Sequence, residues 1–164
     1  MKGKTMNSLS PIWLVEDSAK DIELTLAALE ESSLANRVVV LRDGCEALER
    51  LRALDTLGRE ARPVAILLDI KMPKVSGLEV LREIKSDVRL KNLPVVMLTS
   101  SRQGPDIAQC YELGANAYVV KPVGFAEFFE AVKALGKFWA VVNERPQENK
   151  AAEADDELVA AGRP

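Results

Sequence analysis

Val64-Ala65-Ile66-Leu67-Leu68-Asp69-Ile70-Lys71-Met72-Pro73-Lys74-Val75-Ser76-Gly77 is the stretch on which the fold turns. An unbroken apolar run from Val64 to Leu68, with neither helical nor alternating spacing, reads as a strand buried on both faces, as in a parallel sheet. Asp69 closes that run. The interior of such a strand tolerates no unpaired charge, but its carboxyl end opens into the crevice where open α/β sheets bind ligands. Ser76 then offers a cap for a helix bearing Leu78, Val80, Leu81 and Ile84. Position alone makes Asp69 a candidate site residue.

Working outward, four more apolar runs have the length of strands: Ile12-Trp13-Leu14-Val15, Val38-Val39-Val40-Leu41, Pro94-Val95-Val96-Met97-Leu98 and Ala117-Tyr118-Val119-Val120. Helical stripes separate them. Ser18, with Asp21 three residues on, caps a helix carrying Ile22, Leu26 and Leu29, and Asp43-Gly44 opens another with Ala47, Leu48, Leu51 and Leu54. A fourth helix is predicted over Pro105 to Leu113, with Gly114 in the left-handed position at its end. The last helix carries Phe125, Phe128, Phe129, Val132, Leu135 and Trp139 at three- and four-residue spacing, which predicts a core-facing stripe with Phe138 off it. Buried strands alternating with helices give an α/β fold, a (βα)5 doubly wound five-stranded parallel sheet.

The chain has 164 residues, a size that suits one domain. We expect an N-terminal extension over residues 1–10, the folded domain over 11–142 and a flexible acidic tail over 143–164, the last with six acidic and three basic residues. The net charge of -3 offers no field for nucleic acid and no polybasic membrane signal. No signal peptide and no run near the ~20 apolar residues of a membrane span is evident, so the expected setting is the cytoplasm. Cys45 and Cys110 read as reduced thiols, and the absence of His removes zinc chemistry and a Ser-His-Asp triad.

Charged and polar residues then fall at the carboxyl ends of four predicted strands: Glu16-Asp17, Asp69, Thr99 and Lys121. In a doubly wound sheet those ends converge. Carboxylates brought together repel, so the arrangement needs a cation, either the Lys ammonium or a divalent metal. An all-oxygen set suits Mg2+, which binds through a few carboxylates together with phosphate oxygens.

The order and spacing of Val15-Glu16-Asp17, Leu67-Leu68-Asp69-Ile70-Lys71-Met72-Pro73, Ser76-Gly77, Leu98-Thr99-Ser100, Gly114-Ala115 and Tyr118-Val119-Val120-Lys121-Pro122 resemble the receiver domains of two-component response regulators, over roughly Ile12 to Val142. The resemblance implies the flavodoxin-like receiver fold, with Asp69 as phosphoacceptor and Mg2+ held by Asp17, Asp69 and the Lys71 carbonyl, Glu16 contacting it through water. It further implies that Lys121 pairs with the phosphoryl oxygens, that Thr99 and Tyr118 form the switch, and that Lys121-Pro122 is cis. Lys71 and Ser101, two residues beyond Asp69 and Thr99, would tune the rate. Glu16 and Ser76 stand where the family often has Asp.

The implied function is a single-domain response regulator that takes a phosphoryl group from a sensor histidine kinase and signals through altered contacts of the fourth helix, fifth strand and fifth helix. The Asn7-to-Asp17 approach, the Asp43-Gly44 turn and the Phe138-Trp139 ending are similar to the small regulators that partner phytochrome histidine kinases. They imply a bacteriophytochrome as kinase and a homodimer through the Phe138-Trp139 region. A phosphorelay intermediate or phosphate sink without its own output is the alternative. An enzyme or cofactor protein of the same topology fits less well. A flavin site wants a hydroxyl- and Gly-rich phosphate loop after the first strand, and related phosphohydrolases want an Asp where Lys71 stands.

Overall fold

Strand order in a parallel sheet is set by crossover connections that the sequence does not display, and here it is β2-β1-β3-β4-β5, with every pairing parallel. The structure, a computed structural model, describes residues 9–146. Residues 1–8 of the expected extension and 147–164 of the expected acidic tail lie outside the described residues. The strands are β1 (Ile12–Val15), β2 (Val38–Leu41), β3 (Ala65–Leu68), β4 (Val95–Thr99) and β5 (Ala117–Val120). The helices are α1 (Ala19–Glu31), α2 (Gly44–Arg52), the single turn α3 (Leu54–Leu57), α4 (Gly77–Ser86), α5 (Gly104–Glu112) and α6 (Phe125–Lys137).

Strand alternation divides the core into two. Trp13, Val15, Ile66, Leu68, Val95 and Met97 face the helices α2 to α5, while Ile12, Leu14, Leu67, Val96 and Leu98 face α1 and α6. Strands β1, β3 and β4 are buried on both sides, which is why their sequences show no polar alternation. The chain reverses its direction of sheet growth between β1 and β3, which places the ligand crevice at their carboxyl ends.

Helix starts follow the expected caps. Ser18, Asp43 and Ser76 each accept a hydrogen bond from the amide three residues on, and Ser76 with Glu79 completes a reciprocal capping box. Gly114 ends α5 at φ +101°, a backbone that other residues adopt at a cost.

Three features differ from the sequence reading. The stretch after Leu54 contains α3 and a 3-10 turn at Arg59–Ala61, too short to leave a periodic signature. Phe125 opens α6 on its outer side, is 61% exposed and stacks on Phe129, so only Phe128 and Val132 of the aromatic stripe's first turns are fully buried. The Lys121-Pro122 bond is trans, as are all described peptide bonds. Trans is the lower-energy isomer by about 0.5–1 kcal/mol.

One close approach connects the fold to the site. A Cβ on Gly77 would lie 2.0 Å from the Asp69 carbonyl oxygen, and the Gly77 amide donates to the Ile70 carbonyl at 2.8 Å. The first turn of α4 therefore sits directly on the backbone that carries Asp69. Between them the chain makes a tight turn in which Lys74 takes φ +67°.

Gly77→Ala should accordingly cost about 3 kcal/mol of stability by forcing backbone away from backbone. Gly104→Ala, with open space around its Cβ, should stay within about 0.5 kcal/mol. Chemical denaturation of the two variants checks the contrast.

Candidate functional site

Each residue at the crevice is anchored by the last rung of the sheet. The Glu16 amide donates to the Leu41 carbonyl at 3.0 Å, Asp69 to Val15 at 3.1 Å and Lys121 to Thr99 at 2.8 Å. The ladder thus continues one residue past β1, β3 and β5. It fixes the backbone of three charged residues while their side chains turn out of the sheet.

Those side chains meet. The Lys121 ammonium donates to Glu16 Oε2 at 2.5 Å, Asp21 Oδ2 at 2.8 Å and Asp69 Oδ2 at 3.4 Å. Carboxylate oxygens of Glu16, Asp17 and Asp69 lie within 4.8 Å of one another. Glu16 is 2% exposed and Asp69 8%, whereas Asp17 faces solvent. Burial pushes the Glu16 carboxyl up to about 7, the Lys121 hydrogen bond opposes that, and the Asp69 charge adds to it. For Lys121, burial pulls downward, but hydrogen bonds to Asp21 and Glu16 and the Asp69 charge outweigh it and hold the ammonium protonated above its ordinary value.

The donor set has the size and chemistry for a hard divalent cation. Mg2+ takes oxygen ligands at about 2.0–2.1 Å, so ligands on opposite sides of it stand about 4 Å apart. Asp69 Oδ1 is buried and has no hydrogen-bond partner. A buried carboxylate oxygen left bare is costly and points to a missing electrophile, either a cation or a phosphorus atom. Glu16, Asp17 and Asp69 fit such a cation.

Thr99 ends β4 with 0% exposure, and its hydroxyl oxygen accepts a long hydrogen bond from the Ser101 amide at 3.4 Å. Ser101 is the hub behind it. Its hydroxyl donates to Asp106 Oδ2 at 2.5 Å, and its carbonyl accepts from the Tyr118 hydroxyl at 2.9 Å. Tyr118, half-buried on β5, is thereby tied to the loop that follows Thr99. Lys71 lies exposed in the loop after β3.

The crevice thus gathers Glu16, Asp17, Asp69 and Lys121, with Thr99, Ser101 and Tyr118 in one adjoining chain of contacts. Phe138 and Trp139 stand elsewhere, on a π turn at Phe138–Val142 that extends α6. Two contributors escaped the sequence reading. Asp21 was read only as the residue three beyond the Ser18 cap, yet from the first turn of α1 its carboxylate reaches the Lys121 ammonium at 2.8 Å. Asp106, likewise a first-turn acid of α5, gave no signal of its bond to Ser101.

Residues 12–133 match the response regulator receiver domain family. Response regulator Rcp1 of Synechocystis sp. is 39% identical over 128 residues, covering 78% of this chain and 87% of Rcp1. A crystal structure of Rcp1 in its Mn2+-bound form matches with a TM-score of 0.77 at 37% identity, covering 84% of this chain and 99% of that one. The phosphorylated cyanobacterial phytochrome response regulator RcpA matches with a TM-score of 0.78 at 41% identity, covering 85% of this chain and 99% of RcpA. The bacteriophytochrome response regulator AtBRR is 54% identical with a TM-score of 0.64, covering 83% of this chain and 99% of AtBRR. The matched span contains the whole carboxylate and lysine cluster, and the chain belongs to the response regulator receiver domain family.

Proposed function

We propose that Asp69 accepts a phosphoryl group from a sensor histidine kinase in a Mg2+-dependent reaction, and that the domain signals through the protein contacts this alters. The observation that carries the reading is the bare, buried Asp69 Oδ1 beside the Lys121 ammonium. Mg2+ would be held by Asp17, Asp69 and the Lys71 carbonyl, with Glu16 reaching it through water; bound there, it neutralises charge on the transferring phosphoryl oxygens. Rcp1 in a Mn2+-bound form and RcpA in a phosphorylated form support extending this chemistry to the present chain.

Phosphoryl transfer asks for alignment and charge neutralisation more than for a base. An Asp69 oxygen forms a bond to phosphorus as the phosphorus–nitrogen bond of a donor phosphohistidine breaks, the imidazole keeping the electron pair. These 164 residues contain no His, so the donor imidazole lies outside them. Lys121 meets the phosphoryl oxygens, and Thr99 turns its hydroxyl toward phosphorylated Asp69. That movement strains the Thr99–Ser101–Tyr118 chain of contacts and biases the face formed by α5, β5 and α6. Lys71 and Ser101 would govern access of hydrolytic water.

RcpA and AtBRR, phytochrome response regulators by name, support a bacteriophytochrome as the kinase, and the setting proposed for this chain is the cytoplasm. Among the described residues no helix is long and apolar enough to cross a membrane. The folded domain would span residues 11–142. A homodimer through the end of α6 is supported by a groove of about 540 Å³ lined by Ala117, Val119, Ala131, Leu135, Phe138 and Trp139, next to exposed Val141 and Val142.

Three outcomes follow from these assignments. With Mg2+ and acetyl phosphate or a cognate kinase, Asp69→Asn should lose phosphorylation entirely, read by intact mass; undiminished labelling would sink the site. Phe138→Asp should lower the solution mass, measured by light scattering, from dimer to monomer, and an unchanged mass would count against this interface. For pH, the sign follows from Glu16, which in the folded protein holds a proton up to about 7 against an ordinary value of 4.5. Its contribution is fully present at low pH, so metal-free stability should fall as pH rises from 4.5 to about 7, by on the order of 1–3 kcal/mol. Glu16→Gln should flatten that slope in thermal unfolding. Mg2+ favours the ionised carboxyl, so its affinity should rise across the same window.

A further inference from the structure

Lys121 has more carboxylates around it than phosphoryl chemistry requires. An ammonium has three protons to donate. Here the two shorter contacts go to Glu16 Oε2 at 2.5 Å and Asp21 Oδ2 at 2.8 Å, while the proposed nucleophile Asp69 receives the longest, 3.4 Å. Asp21 is not one of the carboxylates that share a cation-sized space, since that group is Glu16, Asp17 and Asp69. It is held independently: its amide donates to Ser18 Oγ at 3.3 Å, which fixes it in the first turn of α1. Among the described residues, the Asp21 carboxylate meets the site at the Lys121 ammonium, while its backbone amide is tied to Ser18, whose own amide donates to Glu16 Oε1 at 3.0 Å.

We propose that Asp21 is a positioning residue for phosphoryl transfer, holding the Lys121 ammonium back from Asp69 in the resting protein and presenting it to the phosphoryl group as it arrives. The proposal rests on Asp69 being the phosphoacceptor. An ammonium seated directly on the nucleophilic carboxylate would stabilise the ground state and blunt the attack. Only interactions that strengthen on the way to the transition state accelerate the reaction. Asp21 supplies that difference. It keeps one Lys121 proton throughout, so the head group is aligned beforehand, and it leaves the Asp69 contact weak until phosphoryl oxygens can replace it. Without Asp21, the ammonium collapses onto Asp69 and Glu16.

Charge alone argues for the opposite effect. Asp21 adds one negative charge near an incoming anion, so removing it should speed uptake if it acts only through the field. The two accounts differ in sign.

The test uses the full chain, Mg2+ and acetyl phosphate, with phosphorylated protein followed over time by intact mass. Asp21→Asn should take up the phosphoryl group about three- to tenfold more slowly, the scale of weakening one charge-assisted hydrogen bond to a neutral one. Asp21→Glu, which keeps the carboxylate, should recover much of the rate. In a Lys121→Ala background, adding Asp21→Asn should change nothing, because the residue acts through Lys121. Faster or unchanged uptake by Asp21→Asn overturns the proposal, and so does an equal loss in both backgrounds, which is what a purely structural role produces. If Asp21→Asn fails to fold, Asp21→Ser, also compatible with a helix start, is read in the same way. Failure of the underlying assignment looks different: wild-type protein takes up no phosphoryl group, or Asp69→Asn still does.

Discussion

The Lys121 ammonium is shared by carboxyl groups drawn from three parts of the chain, Glu16 and Asp69 buried and Asp21 half-buried. Glu16 follows β1, Asp69 follows β3 and Asp21 lies on α1, and all of them reach a lysine placed after the edge strand β5. Burying Glu16 and Asp69 without that counter-charge would cost several kcal/mol each, by the usual penalty for desolvating an unpaired carboxylate. The burial is tolerated because the ion pairs are short and because the final rungs of the sheet already hold all three backbones in place. The electrostatics and the parallel register depend on each other. A shift of one residue in β5 would turn Lys121 to the other face of the sheet.

The compensation is uneven. One oxygen of Asp69 stays bare and buried, and the ammonium stands nearer to two other carboxylates than to it. Such a cluster has room for a hard cation and for a further anion, and each would relieve what the other lacks. A hard cation placed among these oxygens would give the bare Asp69 oxygen a partner.

A second network carries the consequence outward. Thr99 is fully buried at the end of β4, Ser101 lies two residues on, and Ser101 holds both Tyr118 of β5 and Asp106 of α5. The loop that follows Thr99 is thus tied to two neighbouring elements. Packed elements respond by changing between discrete arrangements rather than by bending smoothly.

Much of this was legible in the chain itself. Continuous apolar runs marked the five strands, three of which, β1, β3 and β4, are buried on both faces and admit no polar alternation, and the caps Ser18, Asp43 and Ser76 marked helix starts through local hydrogen bonding. Strand ends placed Glu16, Asp17, Asp69, Thr99 and Lys121 near one another, since a doubly wound sheet brings its carboxyl ends to one side. The trans Lys121-Pro122 bond and the exposed Phe125 departed from expectation, because isomer choice and the outer turn of a terminal helix depend on packing rather than on residue type. The sequence by itself determined which residues could reach the crevice, through periodicity and local capping. Only the tertiary structure decided how the charge is shared there, with Asp21 on Lys121 and Asp69 left partly unpaired. Differences of less than an ångström among contacts between side chains up to 105 positions apart set that division, and no local pattern encodes them.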